Sequence, residues 1–288
     1  MAKDLFREEV TTKEVRKIIG ADEDLISDDN IDFMIKNTRK SFENLLNTDF
    51  VPTEKIEIQK MGFYEDKIHL RLRHTPVLNI YKIKLGDRDL DNYDVDYNSG
   101  VVRFFDIPHR GYYTDPYFWN LRSSNFKINY LCGYIEKDEA EKSFLTEDIE
   151  PGDEVTVKVD NVENVNTDEW VWLIGMDGNE EVCQVKSRSK SDNEFVLKRV
   201  TQPHEEGTLI YRVRVSEAIK SLILYEVALR IAIYATGGTY TFNTTYSLGE
   251  MSVSKGVPYT HWAKVFEQSK SLKEEILREV VRPRFYVA

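Results

Sequence analysis

One stretch of this chain limits its possible folds more than any other. Ile219 to Ala235 is a helix-length run that is apolar on nearly every face. A helix without a polar stripe must be buried on several sides. In a chain of 288 residues, that requires a deep core or an interface between subunits. Leu222, Ile223, Leu229 and Ile233 are the residues expected to fill it. Ser216 is placed to cap its start, and Gly237-Gly238 to stop it. The run is too short for a membrane span: Leu222 to Ala235 falls below the ~20 residues needed, and Glu226 and Arg230 interrupt it.

The rest of the chain changes period twice. Thr11-Thr12-Lys13-Glu14 has the spacing of a capping box, and Val15, Ile18 and Ile19 follow on one helical face. Ser27-Asp28-Asp29 opens a second helix, with Ile31, Met34, Ile35, Thr38, Phe42, Leu45 and Leu46 at helical spacing. From about 54 to 134 the period becomes two. Ile56/Ile58, Leu70/Leu72, Val77 to Leu85, Val101 to Phe105 and Phe126 to Cys132 read as an antiparallel meander, with turns at Gly86-Asp87 and Asn98-Ser99-Gly100. An aromatic loop, Tyr112 to Trp119, interrupts it. Residues 145–213 read as all β, with a hairpin turn at Asp177-Gly178-Asn179 and enough length for a small barrel or sandwich around Trp170, Trp172 and Phe195. After the apolar helix comes a Thr/Tyr/Ser-rich loop. A final amphipathic helix follows, with Trp262, Phe266, Leu272, Ile276 and Val280 on one stripe, and Pro283 ends it.

Composition and charge narrow the functional classes. A hydrophobic content of 41% can fill a core, which excludes global disorder. The first residues run straight into charges, so no secretory signal is expected. Two cysteines cannot make a disulfide framework, and a reducing compartment is expected. The net charge of −11 argues against a protein that holds nucleic acid over its whole surface. The charge is uneven: 145–213 carries 16 acids and 7 bases, a net of −9, whereas 214–288 carries 10 bases and 7 acids, a net of +3.

Signals for chemistry are sparse. Asp87-x-Asp89-x-Asp91 imitates the start of a calcium loop, but the required Gly and Glu are replaced by Asn92 and Asn98, so solvated hairpin acids are the better reading. The five histidines stand at no metal-ligand spacing, and no metal or cofactor is expected. No nucleophile elbow, phosphate loop or dinucleotide fingerprint occurs. Glu180-Glu181 adjoin a turn, and adjacency on a strand does not bring two carboxylates together. No catalytic residue is assigned.

The order of the parts is more informative than any one of them. With 145–213 removed, the chain reads helix, helix, meander, apolar helix, loop, helix. This resembles the head-to-tail adaptor (connector) proteins of tailed bacteriophages. Several stretches carry the resemblance. Thr12 to Gly20 with Asp28 to Leu46 looks like the opening helix pair. Pro76-Val77-Leu78-Asn79-Ile80, Asn92 to Asp96 and Gly100-Val101-Val102 look like the meander. Lys127 to Tyr134 is similar to the strand ending in Gly-Tyr. Ser216 to Lys220 looks like the next helix, and Tyr246 to Ser254 like the Ser/Gly-rich loop. The departure is the 145–213 segment, which stands where the family has a short turn.

The resemblance implies an α+β fold: a helical adaptor core with an antiparallel β-meander, plus an inserted all-β barrel or sandwich. The core would be discontinuous, 1–144 with 214–288, and 145–213 would be a peripheral acidic domain. It implies a structural virion protein and no enzyme: a homo-oligomeric ring of roughly twelve copies beneath the portal, extending the DNA conduit toward the tail. Its partners would be the portal protein, a neck or tail-completion protein and copies of itself, with viral DNA passing through unbound and no membrane contact. Its place would be the head–tail junction of the virion, reached from the host cytoplasm. Arg282, Arg284, Phe285 and Tyr286 on the terminal tail would dock on the portal, and Tyr246, Leu248 and Met251 mark the loop as a second candidate. Two other classes remain open on the residues alone: a carboxylate-dependent glycan hydrolase using the 112–119 aromatics, and a carbohydrate- or protein-binding module that reads through the acidic β segment.

Overall fold

The fold is described from a computed structural model. It covers residues 9–19, 26–60, 69–105, 125–163, 165–235, 245–248 and 251–254, and isolated helical positions between 267 and 275; the side chains of 232–235 and 245–254 are outside the description. Asn47–Arg214 makes one compact unit; Phe6–Leu46 and Val215–Ala288 contribute to another.

The expected helical adaptor core is overturned. Antiparallel sheets dominate, with 45% strand against 26% helix. The physical reason lies in where apolar side chains recur at period two. Segments 53–132 and 135–215 supply most of the buried apolar residues, and strands bury such residues against other strands rather than against a helix stripe.

In the first unit, β1 (Thr53–Lys60), β7 (Asn125–Cys132), β3 (Val77–Leu85) and β4 (Arg88–Asp89) form a four-stranded sheet in the order β1-β7-β3-β4. A three-stranded sheet, β2-β6-β5, is made by β2 (His69–Arg71), β5 (Tyr93–Asp96) and β6 (Val101–Phe104). Leu72, Ile83, Val102, Phe104, Phe126, Ile128 and Tyr130 form their shared core. Phe104 stacks on Phe126 with centroids 5.1 Å apart. The β5–β6 turn places Gly100 at φ +67°, where a Cβ would stand 2.5 Å from the Thr75 methyl. Only glycine fits there.

Strand β1 is inverted relative to ordinary burial. Its isoleucines, Ile56 and Ile58, are 64% and 60% exposed, and Glu57 is buried. Glu57 is accommodated because the Tyr130 hydroxyl donates to it at 3.0 Å and the Arg73 amide at 3.1 Å. Gln59 donates to its other oxygen at 2.7 Å. Those bonds satisfy a carboxylate that burial would otherwise penalise.

The second sheet has six strands, β8 (Ile135–Phe144), β9 (Gly152–Lys158), β10 (Trp170–Ile174), β11 (Glu180–Ser189), β12 (Glu194–Val200) and β13 (Leu209–Val215), in the order β8-β13-β10-β11-β12-β9. The sheet curls until its two edges meet. Leu145 bridges Val159, and the Thr146 amide donates to the Lys158 carbonyl at 3.0 Å. The result is a barrel whose edges join at that end, past the last residues of β8 and β9. Leu145, Val157, Val171, Leu173, Cys183, Val185, Phe195, Leu197 and Ile210 fill it. Its first strand starts at Ile135, and it belongs to the same compact unit as the meander.

In the other unit, α1 (Thr12–Ile19), α2 (Asp28–Leu46) and α3 (Glu217–Ala235) pack together. The capping box forms: the Thr11 amide donates to Glu14 at 3.1 Å, and the Glu14 amide to the Thr11 hydroxyl at 3.4 Å. Arg16 ties α1 to the start of α2 through Asp28 at 2.6 Å and the Ile26 carbonyl at 2.8 Å. Lys220 of α3 reaches Glu14 at 3.1 Å. Burial pulls the Glu14 pKa up, but the Thr11 bonds and Lys220 outweigh it, so Glu14 sits below the ordinary carboxylate range. The strands β14 (Thr245–Leu248) and β15 (Met251–Ser254) pair as a hairpin after α3.

Candidate functional site

The apolar helix α3 buries Ile219, Leu222, Ile223, Leu224, Val227, Ala228 and Ile231. These residues lie on several faces, as a run without a polar stripe requires. A half-buried stripe remains: Ser221, Tyr225 and Leu229, at helical spacing. The structure therefore separates residues that the sequence grouped. Leu222 and Ile223 are core, and Leu229 stands on the partly open stripe. The Ile233 side chain lies outside the described residues.

The loop candidates fall on the hairpin β14–β15: Tyr246 stands opposite Val253, and Leu248 opposite Met251. The docking candidates Arg282, Arg284, Phe285 and Tyr286 lie outside the described residues, as do the aromatic loop 112–119 and most of the final helical stripe. Asp89 forms ion pairs with Lys82 at 3.0 Å and Lys84 at 3.6 Å. Among the described residues, no group of three His, Cys, Asp or Glu side chains is placed to hold a metal ion.

The structure also assembles a polar cluster that sequence reasoning did not bring together. Glu181, at the start of β11, is sealed with His204: both side chains are 0% exposed, and His204 Nε2 lies 2.8 Å from Glu181 Oε1. The other carboxylate oxygen accepts from the Thr201 amide at 3.0 Å and from Asn79 Nδ2 at 3.3 Å, and the Thr201 hydroxyl lies 2.9 Å away. Asn79 belongs to β3, so this cluster joins the barrel to the four-stranded sheet. Arg199 adds a second tie. It adopts φ +56°, reaches Glu54 of β1 at 2.6 Å, and lies 5.1 Å over the Tyr81 ring. A non-glycine residue at positive φ is strained, and such strain persists where surrounding contacts fix it. The chemistry of this cluster is that of a latch: a buried carboxylate satisfied from two sheets.

One signal could have revealed it. Strand alternation puts Glu181 in line with Cys183 and Val185, which are both core residues. An acid at an inward position requires buried donors.

A smaller cluster surrounds Asp49, which pairs with Lys55 at 2.9 Å, with His74 Nδ1 3.7 Å away and the Cys132 thiol 3.6 Å away. Burial, with the nearby Asp49 carboxylate, pushes the Cys132 thiol far above its ordinary range, so it remains protonated and inert. Burial and then Lys55 lower the His74 pKa below 6.5, against the opposing pull of Asp49 and Glu57. A depressed histidine favours the neutral ring, so its stabilising contribution is lost as pH falls below about 6.5 toward the folded value. The His74 ring signals in an NMR titration should show a midpoint below 6.5; a midpoint above it would contradict this environment.

No protein-family model matches the chain, and a search of curated proteins finds no match.

Proposed function

We propose that this chain is a structural virion protein, a head-to-tail adaptor that forms a ring beneath the portal and extends the DNA conduit toward the tail. The reading does not rest on a helical core. It rests on linear order: α1 and α2, strands ending at Gly133-Tyr134, the apolar α3, and a Ser/Gly-rich segment that folds as the hairpin β14–β15. The observation that best supports it is α3 itself. Its core faces are filled within the subunit, and the stripe Ser221–Tyr225–Leu229 is left half-covered, as a helix at a subunit boundary would be.

In this role the protein works by placement. Copies of the chain surround the DNA, the portal holds the ring above, and a neck or tail-completion protein closes it below. A net charge of −11 suits a conduit that DNA crosses without sticking, because phosphate contacts need Lys and Arg. The terminal tail, with Arg282, Arg284, Phe285 and Tyr286, is the proposed grip on the portal; an arginine and two aromatics are typical interface anchors.

Negative-stain imaging of the full chain mixed with its portal tests the reading. The expected result is a ring added to the portal. Truncation after Val281 should leave the chain folded by circular dichroism while portal decoration is lost. Bare portals beside a monomeric full-length chain would overturn the assignment.

A further inference from the structure

The four-stranded sheet has one face in the core and one toward solvent, and register places particular residues together on the open side. Residues paired directly across antiparallel strands point the same way. Ile56 of β1 pairs with Asn129 of β7, which pairs with Lys82 of β3. Ile58 pairs with Lys127, which pairs with Lys84, which pairs with Asp89 of β4. Lys60 closes the row opposite Asn125. Among the described residues the open face therefore carries two isoleucines, 64% and 60% exposed, and four ammonium groups against the carboxylates of Asp89 and of Glu54, the latter paired with Arg199 of the barrel. Farther along the same face, Leu131 and Asn79 are buried where the barrel sits through Glu181. The exposed isoleucines thus continue a face that one protein surface already covers.

The barrel presents the opposite chemistry at one end. Three segments meet there. Ile149 bridges His204, the Glu206 amide donates to Asp148 at 2.7 Å, and the Met176 terminal methyl packs against Gly207. Thr146–Pro151, Gly175–Asn179 and Thr201–Thr208 contain no Lys or Arg. They expose Asp148, Glu150, Asp177, Glu205 and Glu206 around Met176, which is 84% exposed.

We infer that the open face around Ile56, Ile58, Lys82, Lys84 and Lys127 is a docking surface for a second copy of this chain, which meets it with the acidic, Met176-bearing end of its barrel. The isoleucines decide the class of partner. A polyanion such as DNA needs cations only, whereas apolar residues rimmed by charge are the anatomy of a protein interface. Charge decides the occupant, because the matching surface, apolar at its centre and acidic at its rim, is present on the same chain. A contact between unlike surfaces can propagate around a ring, and in that respect the inference rests on the proposed ring.

A charge-swap experiment on the full chain tests it. Lys82→Glu with Lys84→Glu reverses one surface, and Glu205→Lys with Glu206→Lys reverses the other; all four residues are on the protein surface, and circular dichroism checks each fold. Native mass and sedimentation read self-association, alone and on the portal. Each reversed chain should assemble at least ten-fold more weakly than the natural one. An equimolar mixture of the two reversed chains, or the chain carrying all four changes, should recover assembly. Rings that form equally well with either reversal would overturn this interface and leave the ring intact. Loss in both single reversals without recovery would overturn the pairing of these two surfaces. Portal binding lost with self-association unchanged would reassign the face to the portal, and a natural chain that stays monomeric alone and on the portal would remove the ring and this interface together.

Discussion

Replacing Leu222 with Asp should unfold the helical unit. Leu222 is 1% exposed within a set of buried neighbours on α3, and the new carboxylate would find no partner among them. An unpaired buried charge costs about 3–5 kcal/mol, a large part of the ~5–15 kcal/mol that holds a typical domain. Urea unfolding followed by circular dichroism measures it: the midpoint should fall steeply, or the protein should fail to express in soluble form. Leu229→Asp makes the informative comparison. Leu229 lies on the half-buried stripe, so the same change there should cost less in the monomer and show mainly as lost assembly. Equal stability for Leu222→Asp and the natural chain would mean that α3 is not packed as described.

The second large effect is expected at Glu181. Glu181→Ala strips the latch of its centre and leaves His204, the Thr201 amide and Asn79 buried with unmet donors. Each such group costs about 1–3 kcal/mol, and three are left at once. The change should lower the denaturation midpoint and speed amide exchange at Asn79 and Thr201, where barrel and sheet meet. Glu181→Gln keeps the shape and one acceptor, so it should cost less. If the Ala variant keeps both its midpoint and its exchange rates, the cluster contributes nothing to holding the barrel in place.

Local signals in the sequence were legible because they depend on neighbours in the chain. The Thr11–Glu14 capping box, the turn at Gly100 and the burial of α3 on several faces each follow from a few adjacent residues and one period. What a local reading could not supply was the weight of the parts. It treated the core as helical with a meander beside the helices, and 145–213 as an insert, whereas antiparallel strands dominate. It also could not give the facing of β1. Ile56 and Ile58 alternate as a strand should, but which face goes inside was decided by Tyr130 and Arg73, both distant in sequence, which satisfy Glu57. The latch was hidden for the same reason. Asn79, Glu181 and His204 are separated by more than 100 residues at the widest pair in contact, and no spacing rule spans that distance.

The closure of the barrel has a mechanical consequence. Its first and last strands, β8 and β13, are neighbours in the sheet, and Arg212 pairs with Glu141 at 3.0 Å while Arg214 pairs with Glu136 at 3.5 Å. The chain thus enters and leaves at the same corner. A pull applied through these two ends loads the β8–β13 ladder one rung at a time, like a zipper, whereas a pull along the strands would load every rung together. This module should therefore yield at low force to tension on its own termini and resist force that reaches it through its walls.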